Sequence, residues 1–119
     1  MPSLKKELKQ HRQADPCLVL STAGSSEEAS KLAKEILEKK LAACVNIIPS
    51  ISSIYWWQGK IETSPESLLL IKTLQSQLKP LSDFLKLHHP YEVPELVALP
   101  IFWGNQVYLD WLKKSIKSP

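Results

Sequence analysis

Only three glycines, at 24, 59 and 104, occur in 119 residues, and they lie far apart. That excludes a glycine-rich phosphate loop, which needs several within one turn. The two cysteines, Cys17 and Cys44, form no CxxC pair and show no zinc-type spacing with the histidines, so neither a zinc module nor a disulfide framework is encoded. Both sit in strand-like runs and read as buried thiols of a reducing compartment. No apolar run approaches the ~20 residues that cross a bilayer. The stretch "MPSLKKELKQHRQAD" is charged throughout and has no apolar h-region, which argues against a secretory signal and for a cytoplasmic protein without a membrane partner. Repeats and low-complexity segments are also missing.

Charge of one sign is scarce in the body. The formal net charge is +3, but residues 1–15 hold four basic and two acidic groups, and residues 110–119 three and one. The remainder has eight basic and nine acidic groups, so no basic stripe for nucleic acid lies on the folded part. Hydrophobic residues make up 44% and charged residues 23%, as in an ordinary globular domain. The length suits a single domain, taken as 16–119 behind a polar leader, 1–15, that is disordered or a frayed helix.

What is present alternates cleanly. "CLVLSTA" (17–23) reads as a strand. Ser25 or Ser26 caps a helix, with Glu28 completing a capping box and Ala29, Leu32, Ala33, Ile36, Leu37 and Leu41 forming its buried stripe. "ACVNIIPSISSIYWWQ" (43–58) is a long strand in which Pro49 demands a bulge or an edge. Gly59 supplies the positive φ of a tight turn. "IETSPESLLLIKT" (61–73) returns, interrupted by Pro65. A second helix follows over 75–89, with Pro80 in its first turn and Leu78, Leu81, Phe84, Leu85 and Leu87 apolar. "PELVALPIF" is the last core strand. A final helix is capped by Asn105 and carries Val107, Tyr108, Trp111 and Leu112. The order β-α-β-β-α-β plus a helix is the ferredoxin-like α+β plan.

One element is out of scale. A hairpin with roughly 15 residues per strand, against a mean of about 5–6, would reach about 50 Å at ~3.4 Å per residue. A domain of this size has a radius of gyration of about 13–14 Å. Unless the prolines fold it back, the hairpin overhangs its own core and carries Tyr55, Trp56 and Trp57 out with it. Exposed aromatics of this kind mark an interface, and a closed oligomer in which each hairpin lies along a neighbour covers them.

The chemistry-bearing stretch is "HHPYEVPE" (88–95). His88 and His89, with Glu92 in reach, form a candidate metal site, since imidazole suits copper and zinc. The alternative is a pair of histidines at a helix C-terminus, where a cation suits the dipole. Glu92 and Glu95 with Tyr91 offer the groups of an acid–base site, but these carboxylates, with Glu62 and Glu66, read rather as salt-bridged or solvated charges. Lys72, inside "LLLIKT", either snorkels or lines a pocket. No nucleophile triad can be assembled, and the chain is read as a non-enzyme.

"LAACVNIIPSISSIYWWQGKIE" (41–62), "LLLIKT" (68–73), "HPYEVPELVALPI" (89–101) and "GNQVYLDWL" (104–112) resemble the CutA divalent-cation tolerance family across about residues 17–114. The resemblance implies a ferredoxin-like protomer in a homotrimer with hairpins paired across subunits, a cytoplasmic location in bacteria, and a role in tolerance of copper and similar cations without a firmly held cofactor. It implies an architecture similar to the PII signalling proteins. On that ground Tyr55, Trp57, Lys72, Tyr91 and Glu92 are candidates for a cleft at a subunit boundary that takes a small anionic effector. A third implication is a scaffold or anchoring role, as proposed for animal members. Copper binding in a bacterial member goes with a cysteine in "CTA" and with the "HH" before "PY". Here the strand reads "STA", so Ser21 replaces that cysteine, and a hydroxyl is the poorer copper ligand.

Overall fold

A computed structural model describes residues 13–117 of the chain; 1–12 and 118–119 lie outside the described residues. The elements are β1 (Pro16–Ala23), α1 (Ser26–Glu38), β2 (Cys44–Trp57), β3 (Lys60–Leu74), a 3-10 turn (Gln75–Gln77), α2 (Leu78–His88), β4 (Val97–Pro100) and α3 (Gln106–Lys117). The four strands form one antiparallel sheet in the order β2-β3-β1-β4. The ferredoxin-like reading is correct. Of the expected leader, residues 13–15 are tied to the domain: the Gln13 and Asp15 carbonyls accept from the Ser76 and Gln75 N–H groups.

Helix α1 forms because every local signal agrees. Ser25 takes an extended backbone and its hydroxyl accepts the Glu28 N–H at 3.1 Å. Glu27 and Glu28 lie in the first turn, where the helix dipole favours negative charge. Ala29, Leu32, Ala33 and Ile36 then recur at helical spacing and are buried. They pack with Leu81, Phe84 and Leu85 of α2 onto Cys17, Val19, Leu69 and Ile71 of the sheet. Thr73 ties the helix exit to this layer: its buried hydroxyl donates to the Leu41 carbonyl at 2.6 Å.

The opposite face of the sheet is different. Cross-strand partners share a face, so the pairs Leu18↔Leu99, Leu20↔Val97, Thr22↔Leu68, Leu20↔Leu70, Leu18↔Lys72 and Ile48↔Leu68 lie together, away from α1 and α2. Among the described residues only one end of this face is covered, by α3, whose Leu112 and Ile116 pack on Leu74 and Ala43. Ile48, Val97 and Leu99 stay exposed. The expected apolar set of α3 is thereby corrected: of its four residues only Leu112 is buried, while Val107 is 78% exposed and Trp111 46%. Leu87 is likewise solvent-facing at the end of α2. The last strand is shorter than its apolar run and pairs with β1 only from Cys17 to Leu20.

The hairpin overhangs as its length demands. The β1–β3 ladder stops at Ala23↔Ser67, so Ile51–Trp57 and Lys60–Glu66 continue as a two-stranded ribbon. Seven residues of strand reach about 24 Å. At its root β2 makes a bulge between Ile48 and Ile51, where Pro49 lacks a ladder donor and Ser50 adopts φ +60°. Pro65 does not interrupt β3. It lies beyond the end of β1, where its missing N–H faces no strand. The tip closes on Gln58 (φ +50°) and Gly59 (φ +78°), two left-handed residues in succession, as a twisted two-residue hairpin turn requires. Ile54, Trp56 and Ile61 line one side of the ribbon and are 70%, 73% and 64% exposed.

Thr73→Val keeps the shape of that buried side chain but leaves the Leu41 carbonyl without its donor. It is expected to cost about 1–3 kcal/mol in urea unfolding at fixed protein concentration. A loss below a few tenths would remove this bond from the list of core determinants.

Candidate functional site

Helix α2 ends because Pro90 forbids another turn. The His89 N–H still closes on the Leu85 carbonyl at 2.9 Å, and His89 itself turns to extended backbone. The connection from His89 to Leu96 must then cross the end of β1, past the point where β4 pairs with it. Three buried or half-buried contacts hold it there. The Ser21 hydroxyl donates to the Glu95 carbonyl at 2.7 Å. His89 Nε2 bonds the Thr22 carbonyl at 2.7 Å. The Tyr91 hydroxyl donates to Glu66 Oε2 at 2.7 Å.

These contacts fix the chemistry of His89. The Thr22 carbonyl can only accept, so Nε2 carries the proton. The Tyr91 N–H can only donate, and it points at His89 Nδ1 at 3.0 Å, so Nδ1 is the bare nitrogen. Both ring nitrogens are thereby committed to the backbone, and the ring is 7% exposed. His88 differs in each respect. It is exposed, its ring stacks on Phe84 with centroids 4.6 Å apart, and its nitrogens make no hydrogen bond among the described residues. It borders an open depression of about 250 Å³ with Glu28, Lys31, Glu35 and Pro90. Glu92 lies in a separate, apolar groove with Leu85, Val93 and Leu96. Hence His88, His89 and Glu92 do not converge, and among the described residues no three His, Cys, Asp or Glu side chains could hold one ion. Ser21 is 1% exposed and bonded, so its position has become a structural one.

The cleft candidates divide into two groups. Tyr91 lies over Gly24, the first residue past β1: a Cβ there would stand 3.5 Å from its hydroxyl and 3.1 Å from Glu28 Oε2. Burial, then the bond to Glu66, then the charges of Glu66, Glu28 and Tyr55 push the Tyr91 phenol far above its ordinary pKa, so it stays a donor at any physiological pH. Tyr55 joins this group through the ribbon, its hydroxyl 3.0 Å from that of Ser64. Lys72 does not. It is six residues from Glu66 along β3, about 20 Å, and its ammonium lies over the Tyr108 ring at 5.8 Å. Trp57 projects at the tip, 56% exposed. Glu66, expected as a solvated or salt-bridged charge, is instead buried and bound to a phenol. Sequence gave no warning of this, because the partner comes from 25 residues away.

The chain matches the family described as CutA1 divalent ion tolerance protein over residues 17–115. It is 50% identical over 100 residues to the chloroplastic protein CutA 1 of Oryza sativa subsp. japonica, covering 84% of this chain and 56% of that protein. It is 50% identical over 98 residues to the divalent-cation tolerance protein CutA of Thermus thermophilus, covering 82% and 95%. The chain thus spans just over half the length of the plant relatives and nearly all of the bacterial one. Among solved structures it superposes on CutA1 from Oryza sativa with a TM-score of 0.85 at 48% identity, covering 88% of this chain and 96% of that one. It also superposes on the periplasmic divalent cation tolerance protein CutA of Archaeoglobus fulgidus, with a TM-score of 0.83 at 42% identity, covering 86% and 99%. The relatives' names span two compartments, and no helix of the described residues is long and apolar enough to cross a membrane.

His89→Ala removes one buried and one half-buried hydrogen bond and is expected to cost about 2–4 kcal/mol. His88→Ala should stay within about 0.5 kcal/mol. Denaturant unfolding in a metal-free buffer measures both, and equal losses would contradict the division of roles. Burial pushes the Cys17 thiol up to about 11, and only the thiolate is nucleophilic. Cys17 should therefore resist alkylation at pH 8 in the folded protein and react after unfolding, as peptide mass mapping would report.

Proposed function

This chain belongs to the CutA1 divalent ion tolerance family, and we propose that it works as a closed homotrimer in divalent-cation tolerance. The observation that carries the oligomer is the open sheet face. Ile48, Val97 and Leu99 on that face, Ile54, Trp56 and Ile61 on the ribbon, and Val107 and Trp111 on α3 are all exposed in one chain. A surface of this extent on a soluble domain calls for a partner, and copies of the same chain supply the matching apolar face and ribbon. Three copies is the number that the family resemblance implies.

Within the trimer the metal contact falls to His88, whose ring nitrogens are unbonded, and not to a His88–His89–Glu92 set. Copper(II) or a similar cation is the candidate, with the remaining ligands from water or a neighbouring copy. The anionic-effector reading has less support, because Tyr55 and Tyr91 sit beside Glu28 and Glu66 and away from Lys72. The protein is read as a binding and assembly module and not as an enzyme. Its two free thiols suit a reducing compartment such as the cytoplasm.

Analytical ultracentrifugation should give a trimer that persists at nanomolar concentration. Leu99→Glu should yield folded monomers with unchanged helix content; a trimeric Leu99→Glu protein would refute the assignment of this face. Calorimetric titration with copper(II) should show one site per chain that His88→Ala abolishes. Equal binding by both proteins would take the metal away from His88.

A further inference from the structure

The ribbon leaves the sheet at one point, and the structure places a device there. The last rung shared with β1 is Ala23↔Ser67. The next residue of β3 is Glu66, which pairs with Ile51 on the far side of the β2 bulge. Glu66 is therefore the first ribbon residue without a third strand beside it, and it faces the irregularity where β2 can bend. Where β1 would have continued stands Gly24, which has no side chain, and the Tyr91 hydroxyl fills that space and donates to Glu66 at 2.7 Å. Tyr91 does not hang freely. Its N–H is held by His89 Nδ1, its ring lies 4.7 Å from the His89 ring, and His89 Nε2 is held by the Thr22 carbonyl. An unbroken series of contacts runs from the end of β1 through His89 and Tyr91 to the hinge of the ribbon.

We infer that Tyr91 is a positioning residue for assembly: through Glu66 it fixes the angle at which the ribbon leaves the sheet, so that the ribbon meets its neighbours already aligned. The inference rests on the trimeric reading above. A bulge alone leaves one strand pair free to pivot, because only β2–β3 bonds cross the root. One short bond from a half-buried phenol to a buried carboxylate stops that pivot from the side. Losing it does not unpack the core, since neither Tyr91 nor Glu66 belongs to the apolar clusters. The predicted defect is in assembly kinetics.

The test mixes isotope-labelled and unlabelled full-length protein and follows subunit exchange by native mass spectrometry. Tyr91→Phe is expected to exchange at least about tenfold faster than wild type, the factor that corresponds to about 1.4 kcal/mol. Glu66→Gln keeps an acceptor for the hydroxyl and should stay within about threefold of wild type. The double variant Tyr91→Phe/Glu66→Leu removes the latch without leaving a buried unpaired carboxylate, and it should exchange as fast as Tyr91→Phe. Wild-type rates in Tyr91→Phe or in the double variant would overturn the inference, and so would Glu66→Gln exchanging as fast as Tyr91→Phe. If the wild type proved monomeric, the trimeric reading would fall on its own. The latch would then be judged in the monomer by amide exchange: faster exchange at 60–66 in Tyr91→Phe, with 17–23 unchanged, supports it, and unchanged exchange at both overturns it.

Discussion

A four-stranded sheet has two faces, and each must be covered if its apolar side chains are to leave water. Here α1 and α2 cover one face with a close-packed layer in which Val19, Ile36, Ile71 and Leu81 are fully buried. The other face carries Leu18, Leu20, Leu68, Leu70, Val97 and Leu99 and, among the described residues, receives only α3, at the Leu74 end. The uneven cover is a consequence of topology: both crossover helices lie on one side, and a single C-terminal helix of twelve residues cannot roof the other. Burying about 25 cal/mol per Å² of apolar surface is the dominant force available. The exposed half of this sheet, together with the overhanging ribbon, is therefore where association gains most.

The same constraint explains the strap from His89 to Leu96. Strand β4 is short, so the last three residues of β1 have β3 on one side and no ladder on the other. Polar backbone there has to be satisfied by something else. His89 does it for the Thr22 carbonyl, while Ser21 and Tyr91 pin the strap by bonds to the Glu95 carbonyl and the Glu66 carboxylate, and in doing so they use up groups that sequence offers as metal ligands. Position and chemistry are traded against each other: a histidine that accepts from one backbone group and donates to another has no lone pair left for a cation. His88, one residue earlier and on the outside of the same turn, keeps both nitrogens.

Much of this was legible in the residues. The strand and helix periods, the Ser25 cap, the Pro49 bulge, the Gly59 turn and the length of the hairpin are all local or nearly local signals, and each is set by sterics or by alternation that a neighbour cannot change. The divided fate of His88 and His89 was not legible, because two adjacent residues of one type differ only in what lies opposite them. The same holds for Glu66, whose partner is on the far side of α2, and for Lys72, whose side chain was equally compatible with a pocket and with an aromatic ring. Val107 and Trp111 looked like core by spacing and proved to be surface, because helical periodicity says that a face is apolar and does not say which body covers it.

The sequence by itself determined the order of the elements, an irregularity at Pro49, the turn at Gly59 and a hairpin too long for its core, since chain length and backbone sterics set these locally. Only the tertiary structure decided which histidine is structural, that Tyr91 closes on Glu66 over Gly24, and that Ile48, Val97 and Leu99 on the outer sheet face stay exposed. Those depend on distances between segments tens of residues apart, which packing of the whole chain sets.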